Sequence, residues 1–83
     1  MKLSKEVQDL LKKLEEIMYD LDTACLEMQD ARQEYWDDRS EKWQESEKAQ
    51  EHEELTDELD SCRQEAEDAM DEAISAIRRI EDI

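Results

Sequence analysis

The sequence predicts an all-α protein: an antiparallel helical hairpin with its turn near residues 38–47, dimerising into a four-helix bundle. Three observations carry this expectation. The 83 residues contain no Gly, no Pro and no Phe, which removes the usual turn formers and helix breakers and leaves few strand formers. Glu, Asp, Lys, Gln, Ala and Leu dominate, as in long helices and coiled coils. Apolar residues recur at alternating spacings of three and four in both halves of the chain, the pattern of heptad a and d positions. That regularity argues against disorder despite 46% charged and 37% hydrophobic residues.

Helix one is predicted over about residues 3–38. Val7, Leu14, Leu21, Met28 and Tyr35 occupy a, and Leu3, Leu10, Ile17, Ala24 and Ala31 occupy d. Helix two is predicted over about 48–82, with His52, Leu59, Ala66, Ala73 and Ile80 at a and Leu55, Cys62, Ala69, Ala76 and Ile83 at d. The two registers do not join, because seventeen residues separate Tyr35 from His52. The tip, residues 39–47, therefore holds a break. Ser40 is a candidate N-cap for a short helix around Trp43, and Ser46 is one for the later helix. One continuous helix of about 120 Å is the alternative. Residues 1–83 form a single domain in either case.

Pairing residues whose numbers sum to 87 aligns Val7 with Ile80, Leu14 with Ala73, Leu21 with Ala66, Met28 with Leu59 and Tyr35 with His52. Cys25 and Cys62 fall on the same level, where a disulfide needs Cα atoms within about 7 Å. Two free thiols are the favoured expectation, since cytoplasmic cysteines stay reduced. Leu11, Met18 and Cys25 add an e stripe to helix one, as Met70 and Ile77 do to helix two. An a/d/e face suits a bundle, and one hairpin buries little apolar area for its entropy cost. A homodimer burying the e stripes is therefore expected. Its core has to outweigh the repulsion of two chains of charge −16.

The acids are not spread evenly. Residues 14–38 carry nine against one base, Arg32, and residues 51–72 carry eleven against one base, Arg63. The remaining segments nearly balance. A fold-back near residue 43 lays the two stretches side by side as a negative band. A 25-residue helix is roughly 37 Å long, so eighteen net charges give about one per 2 Å, close to the roughly 1.7 Å per charge of duplex DNA. The residues expected to meet a partner are Glu27, Asp30, Glu34, Asp37, Asp38, Glu51, Glu53, Glu54, Asp57, Glu58 and Asp60, with Trp36 and Trp43 at the tip. Acidic helix faces are most often merely solvated. Here, however, signs are not interleaved as i to i+4 support requires. Binding to nucleic acid or anionic membrane is disfavoured, and the basic surface of a nucleic-acid-binding protein is the expected partner.

Other chemistry is sparse. One His cannot supply the paired Glu-x-x-His ligands of a di-iron bundle, and without Gly neither an EF-hand nor a phosphate loop can form. His52 and Cys62 lie about 15 Å apart along one helix. No enzyme, metal or cofactor is expected, and His52 is read as a partner of Tyr35. Trp36 and Trp43 are expected to pack together and close the bundle end, with a partner anchor as the alternative. Arg39, Lys42 and Lys48 set the tip apart electrostatically, and Leu26 lies at f, off the apolar face. No apolar run is long enough to span a membrane, and the N-terminal lysines precede no apolar signal core. The cytoplasm is the expected location.

The segment Ser40-Glu41-Lys42-Trp43-Gln44-Glu45-Ser46-Glu47-Lys48 resembles a stretch found in small acidic helical proteins of phages and prophages. The resemblance covers that segment and its flanking heptads. Such relatives tend to have Gly after the Lys, where this chain has Ala49. No residue role carries over. The resemblance implies phage origin, and small acidic phage proteins include DNA mimics that block restriction or CRISPR effectors.

Overall fold

In the computed structural model, which describes Met1–Ile83, two long helices fold back on each other through a one-turn helix. They are α1 (Lys5–Asp37), α2 (Glu41–Gln44) and α3 (Glu47–Arg78), with a terminal 3₁₀ turn at Arg79–Asp82. The result is an all-α helical hairpin of 62 × 17 × 10 Å, not one continuous helix.

Serine begins every helix. Ser4, Ser40 and Ser46 adopt extended backbone, and their hydroxyls accept from the N–H groups of Val7, Trp43 and Ala49. Each satisfies one donor that a helix start leaves open. The turn needs no Gly because no residue has positive φ. The chain reverses through αR residues alternating with extended serines. Gln44 closes the other side, its Nε2 donating to the carbonyls of Trp36 (3.0 Å) and Arg39 (3.2 Å) at the exposed end of α1.

The hairpin pairs at the predicted level but on a different face. Tyr35 stacks on His52 with ring centroids 5.3 Å apart, as the sum of 87 requires. Asp22–Arg63, Gln29–Asp60 and Arg32–Thr56 contacts fall within two residues of that same alignment. The seam, however, runs along e and its neighbours. In α1 the residues withdrawn from solvent are Val7, Leu11, Leu14, Met18, Asp22, Cys25, Gln29, Arg32 and Trp36. Their spacing repeats after eleven residues (Val7 to Met18 to Gln29), which is 3.67 residues per turn and not the 3.5 of the heptad. The expectation that a/d residues fill the hairpin seam holds only near the chain ends, where Leu3, Val7 and Leu14 take part; the e residues expected to face a second copy close the hairpin instead. Leu10, Ile17, Leu21, Met28 and Leu55 are more than half exposed, while Leu11 at e is 6% exposed. Ile74, at a b position, is 5% exposed and joins Leu3 and Leu11 in the core.

Side-chain size explains the shift toward e. The a/d face of α3 near the chain ends is Ala66, Ala69, Ala73 and Ala76. Turning Met70, Ile74 and Ile77 inward instead buries several more methylenes, each worth about 0.8 kcal/mol. Val7, Leu14, Met18 and Ile77 pack around Leu3, Leu11 and Ile74, so the apolar core lies at the open end of the hairpin. In dilute solution, Leu11→Ala is expected to cost about 2–4 kcal/mol by cavity formation, whereas Leu10→Ala one residue away should change stability by less than about 0.5 kcal/mol. Urea denaturation of the two variants checks the assignment, and equal losses would return the seam to a/d.

Candidate functional site

The middle of the hairpin is held by charge. Moving toward the tip, the e stripe changes from Leu11 and Met18 through Cys25 to Arg32 in α1, and from Ile77 and Met70 to Arg63 and Thr56 in α3. Arg63 is 15% exposed and reaches across the seam. Its guanidinium donates to Asp22 at 2.7 Å, to Asp60 at 2.9 Å and to the Gln29 side-chain carbonyl at 3.0 Å. Glu67 lies 3.5 Å away. Gln29 in turn donates to Asp60 at 3.0 Å, so donors and acceptors close into one network, the condition under which a polar layer is tolerated between helices. The Asp22 and Asp60 hydrogen bonds hold Arg63 above its ordinary pKa. Those from Arg63 and then Gln29 hold the Asp60 carboxyl below its ordinary 3.8. Arg32 also turns inward, donating from Nε to the Thr56 hydroxyl (2.8 Å) and from its terminal nitrogen to the His52 carbonyl (3.1 Å). Nearer the chain ends Arg78 pairs with Glu15.

The consequence for the surface is direct. Arg32 and Arg63 are the two bases within the acid-rich stretches, and both are spent on interhelical contacts. Ten of the predicted partner-facing acids remain exposed: Glu27, Asp30, Glu34, Asp37 and Asp38 on α1 and its C-cap, and Glu51, Glu53, Glu54, Asp57 and Glu58 on α3. Asp60 departs from the prediction. Its carboxylate accepts from Arg63, Gln29 and Gln64, and it belongs to the internal network. The signal for this was legible: Gln29 and Arg32 continue the e-side stripe of Leu11, Met18 and Cys25, and Asp60 and Arg63 sit at matching spacing opposite.

The tip tryptophans separate. Trp43 meets Tyr35 at 5.7 Å and His52 at 5.9 Å, both edge to face, while the Arg39 guanidinium lies 4.3 Å over the Tyr35 ring. Trp36 lies in a small cleft with Arg32, Gln33, His52, Glu53, Thr56 and Asp57, and its buried Nε1 has no acceptor. The two indoles thus close the tip from different sides instead of stacking on each other, because Tyr35 at a and Trp36 at b project from different faces of α1. His52 is the partner of Tyr35, as expected. Burial, and then the charge of Arg32, hold its imidazole below the ordinary 6.5.

The pH dependence follows from these two depressed values. An unfolded chain protonates His52 near 6.5, while the folded chain keeps it neutral to lower pH. This contribution to stability is complete above 6.5 and is lost as pH falls through the folded value. A second loss, from Asp60, begins only below 3.8. Chemical denaturation across pH should show the upper step in the native sequence and its absence in His52→Phe; a step retained in the variant would assign it elsewhere.

Cys25 is half-buried and Cys62 exposed, and both are free. No group of three or more His, Cys, Asp or Glu side chains is arranged to hold a metal ion, and no helix is long and apolar enough to cross a membrane. No family model matches the chain, and neither a characterised protein nor a solved structure is significantly similar to it, so the functional reading rests on the chemistry of the acidic band.

Proposed function

We propose that the chain is a non-enzymatic inhibitor that imitates duplex DNA and occludes the phosphate-binding groove of a nucleic-acid-binding protein, such as a restriction or CRISPR effector in the cytoplasm of a phage-infected cell. The observation that carries this reading is the inward turn of Arg32 and Arg63. With both bases withdrawn, carboxylates are the charged groups that the middle of the hairpin turns outward. Their linear density of about one net charge per 2 Å approaches that of duplex DNA, and a rigid two-helix rod holds them without loop entropy. Such a surface would be steered rapidly onto a basic groove and would bind in a salt-dependent way. The mechanism is competitive occlusion and involves no bond making.

The test is a pull-down from host lysate with the tagged chain, eluted in parallel with rising salt and with excess duplex DNA. Release of a nucleic-acid-binding protein by both eluents is the expected result. A partner that resists both would overturn the mimic reading and favour the second one, a structural or adaptor coiled coil. That second reading draws on the exposed a/d residues Leu10, Ile17, Leu21 and Met28 and on the tip. It expects binding to tolerate salt and to be more sensitive to Trp43→Ala than to charge reversal.

A further inference from the structure

Two periodicities coexist in these helices, and the hairpin seam follows one of them, apolar near the chain ends and polar toward the tip. The eleven-residue spacing of Val7, Met18 and Gln29 follows the seam of two nearly straight helices. The strict heptad of a and d residues is maintained alongside it through both halves of the chain. A sustained 3.5-residue repeat stays on one line only when helices supercoil about a partner. On a wheel of 100° per residue, a lies about 40° and d about 100° to the same side of e. Antiparallel helices that meet at e therefore turn their a and d positions to one common side of the hairpin. Apart from Leu3, Val7 and Leu14, which the chain-end core takes, that side is exposed: Leu10 55%, Ile17 53%, Leu21 53%, Met28 55% and Leu55 56%. No Asp, Glu, Lys or Arg occupies an a or d position from Leu3 to Tyr35 or from His52 to Ile83.

We propose that a second copy of this chain covers the a/d face, giving a four-helix dimer with the acidic surfaces turned outward. The face is self-complementary. The α1 half presents large side chains (Leu10, Ile17, Leu21, Met28), and the α3 half presents small ones from Cys62 to Ala76 (Cys62, Ala66, Ala69, Ala73, Ala76), with Leu55 and Leu59 nearer the tip. A two-fold axis sets each large half against the partner's small half, which is how an isologous interface fills its space. A hollow of about 170 Å³ lies over the seam, its apolar lining Met18, Leu21, Cys25, Ala66 and Met70 and its floor the Asp22, Arg63 and Glu67 side chains of the polar network, and it offers a hole to a knob from a facing helix. Area agrees. The chain exposes 6805 Å² at a mass of 9.9 kDa, whereas a folded monomer of that mass exposes roughly 5,200 Å². The excess of about 1,600 Å² per chain is the consequence of a two-helix rod 62 × 17 × 10 Å in extent with no second layer, and a second layer that removed it from both chains would bury an area within the range of obligate homodimer interfaces. The a and d positions carry no acid, but the g positions at the rim do (Asp20, Glu27 and Glu34 on α1, Glu58, Glu65 and Glu72 on α3), so the repulsion between two −16 chains is felt at the edge of the interface and is relieved by salt screening.

This proposal does not rest on the DNA-mimic reading, and its test contains no partner protein. Sedimentation of the full chain over a range of concentrations should give twice 9.9 kDa, strengthened by salt. Ile17→Lys should halve the mass with helicity kept, whereas Leu26→Lys, at the exposed f position, should leave it doubled. A monomer at every concentration and salt would overturn the proposal, as would a dimer that survives Ile17→Lys. Should Ile17→Lys unfold the chain, the native sequence decides. Alkylation of Cys62, located by peptide mass, should be slow in the associated protein and become fast on dilution. Fast alkylation of the associated form would show that copies meet on another face.

Discussion

Glu53→Lys, Glu54→Lys, Asp57→Lys and Glu58→Lys, combined, are expected to abolish binding to the captured partner while leaving helicity intact. All four side chains are exposed on α3, and none takes part in an interhelical hydrogen bond. Lysine is as good a helix former as glutamate, so the fold has no reason to change. The net charge moves from −16 to half that value, and the face reverses sign locally. A DNA-binding groove that attracted this surface would then repel it. Association slows by about 10- to 1,000-fold from lost steering alone, before any lost contact is counted. Titration of purified partner against both proteins, with circular dichroism as the control for folding, reads the effect. Unchanged affinity in a helical variant would sink the mimic reading and leave the tip or the a/d face as the functional surface.

Arg63→Glu is expected to prevent the hairpin from closing at low ionic strength. Arg63 stands within 2.7–3.5 Å of Asp22, Asp60 and Glu67, and its replacement assembles four carboxylates around one point of the seam. Removing one partner of a withdrawn charge network costs more than the network itself contributes, and here the replacement adds repulsion. The expected readout is loss of the cooperative thermal transition at low salt, recovered in part at high salt because the residual penalty is like-charge and screened. Arg63→Lys should be intermediate, since a point charge cannot reproduce a fork directed at three acceptors. A normal transition for Arg63→Glu would mean that the apolar end alone holds the helices together. The outcome bears on function too, because Arg63 in this network is what allows the outer band to be free of bases.

Much of this protein was legible without its structure. Missing Gly and Pro, the paired heptads, Ser40 and Ser46 as caps, the level of Tyr35 with His52 and the concentration of acids at mid-hairpin all depend on local chemistry and spacing, which a linear chain displays. The tertiary structure decided which stripe closes the hairpin. The heptad pattern marks a and d as apolar but does not say what each faces, because an a/d/e surface wide enough for two interfaces can be divided either way. Burial of Leu11, Met70 and Ile74 in place of a row of alanines settled that division. The same rotation carried Arg32 and Arg63 into the seam, took Asp60 from the acidic face and put Trp36 and Trp43 on different sides of the tip. Composition counts charges, but only packing determines which of them meet water, since a base within reach of two facing carboxylates is worth more inside the seam than on a screened surface.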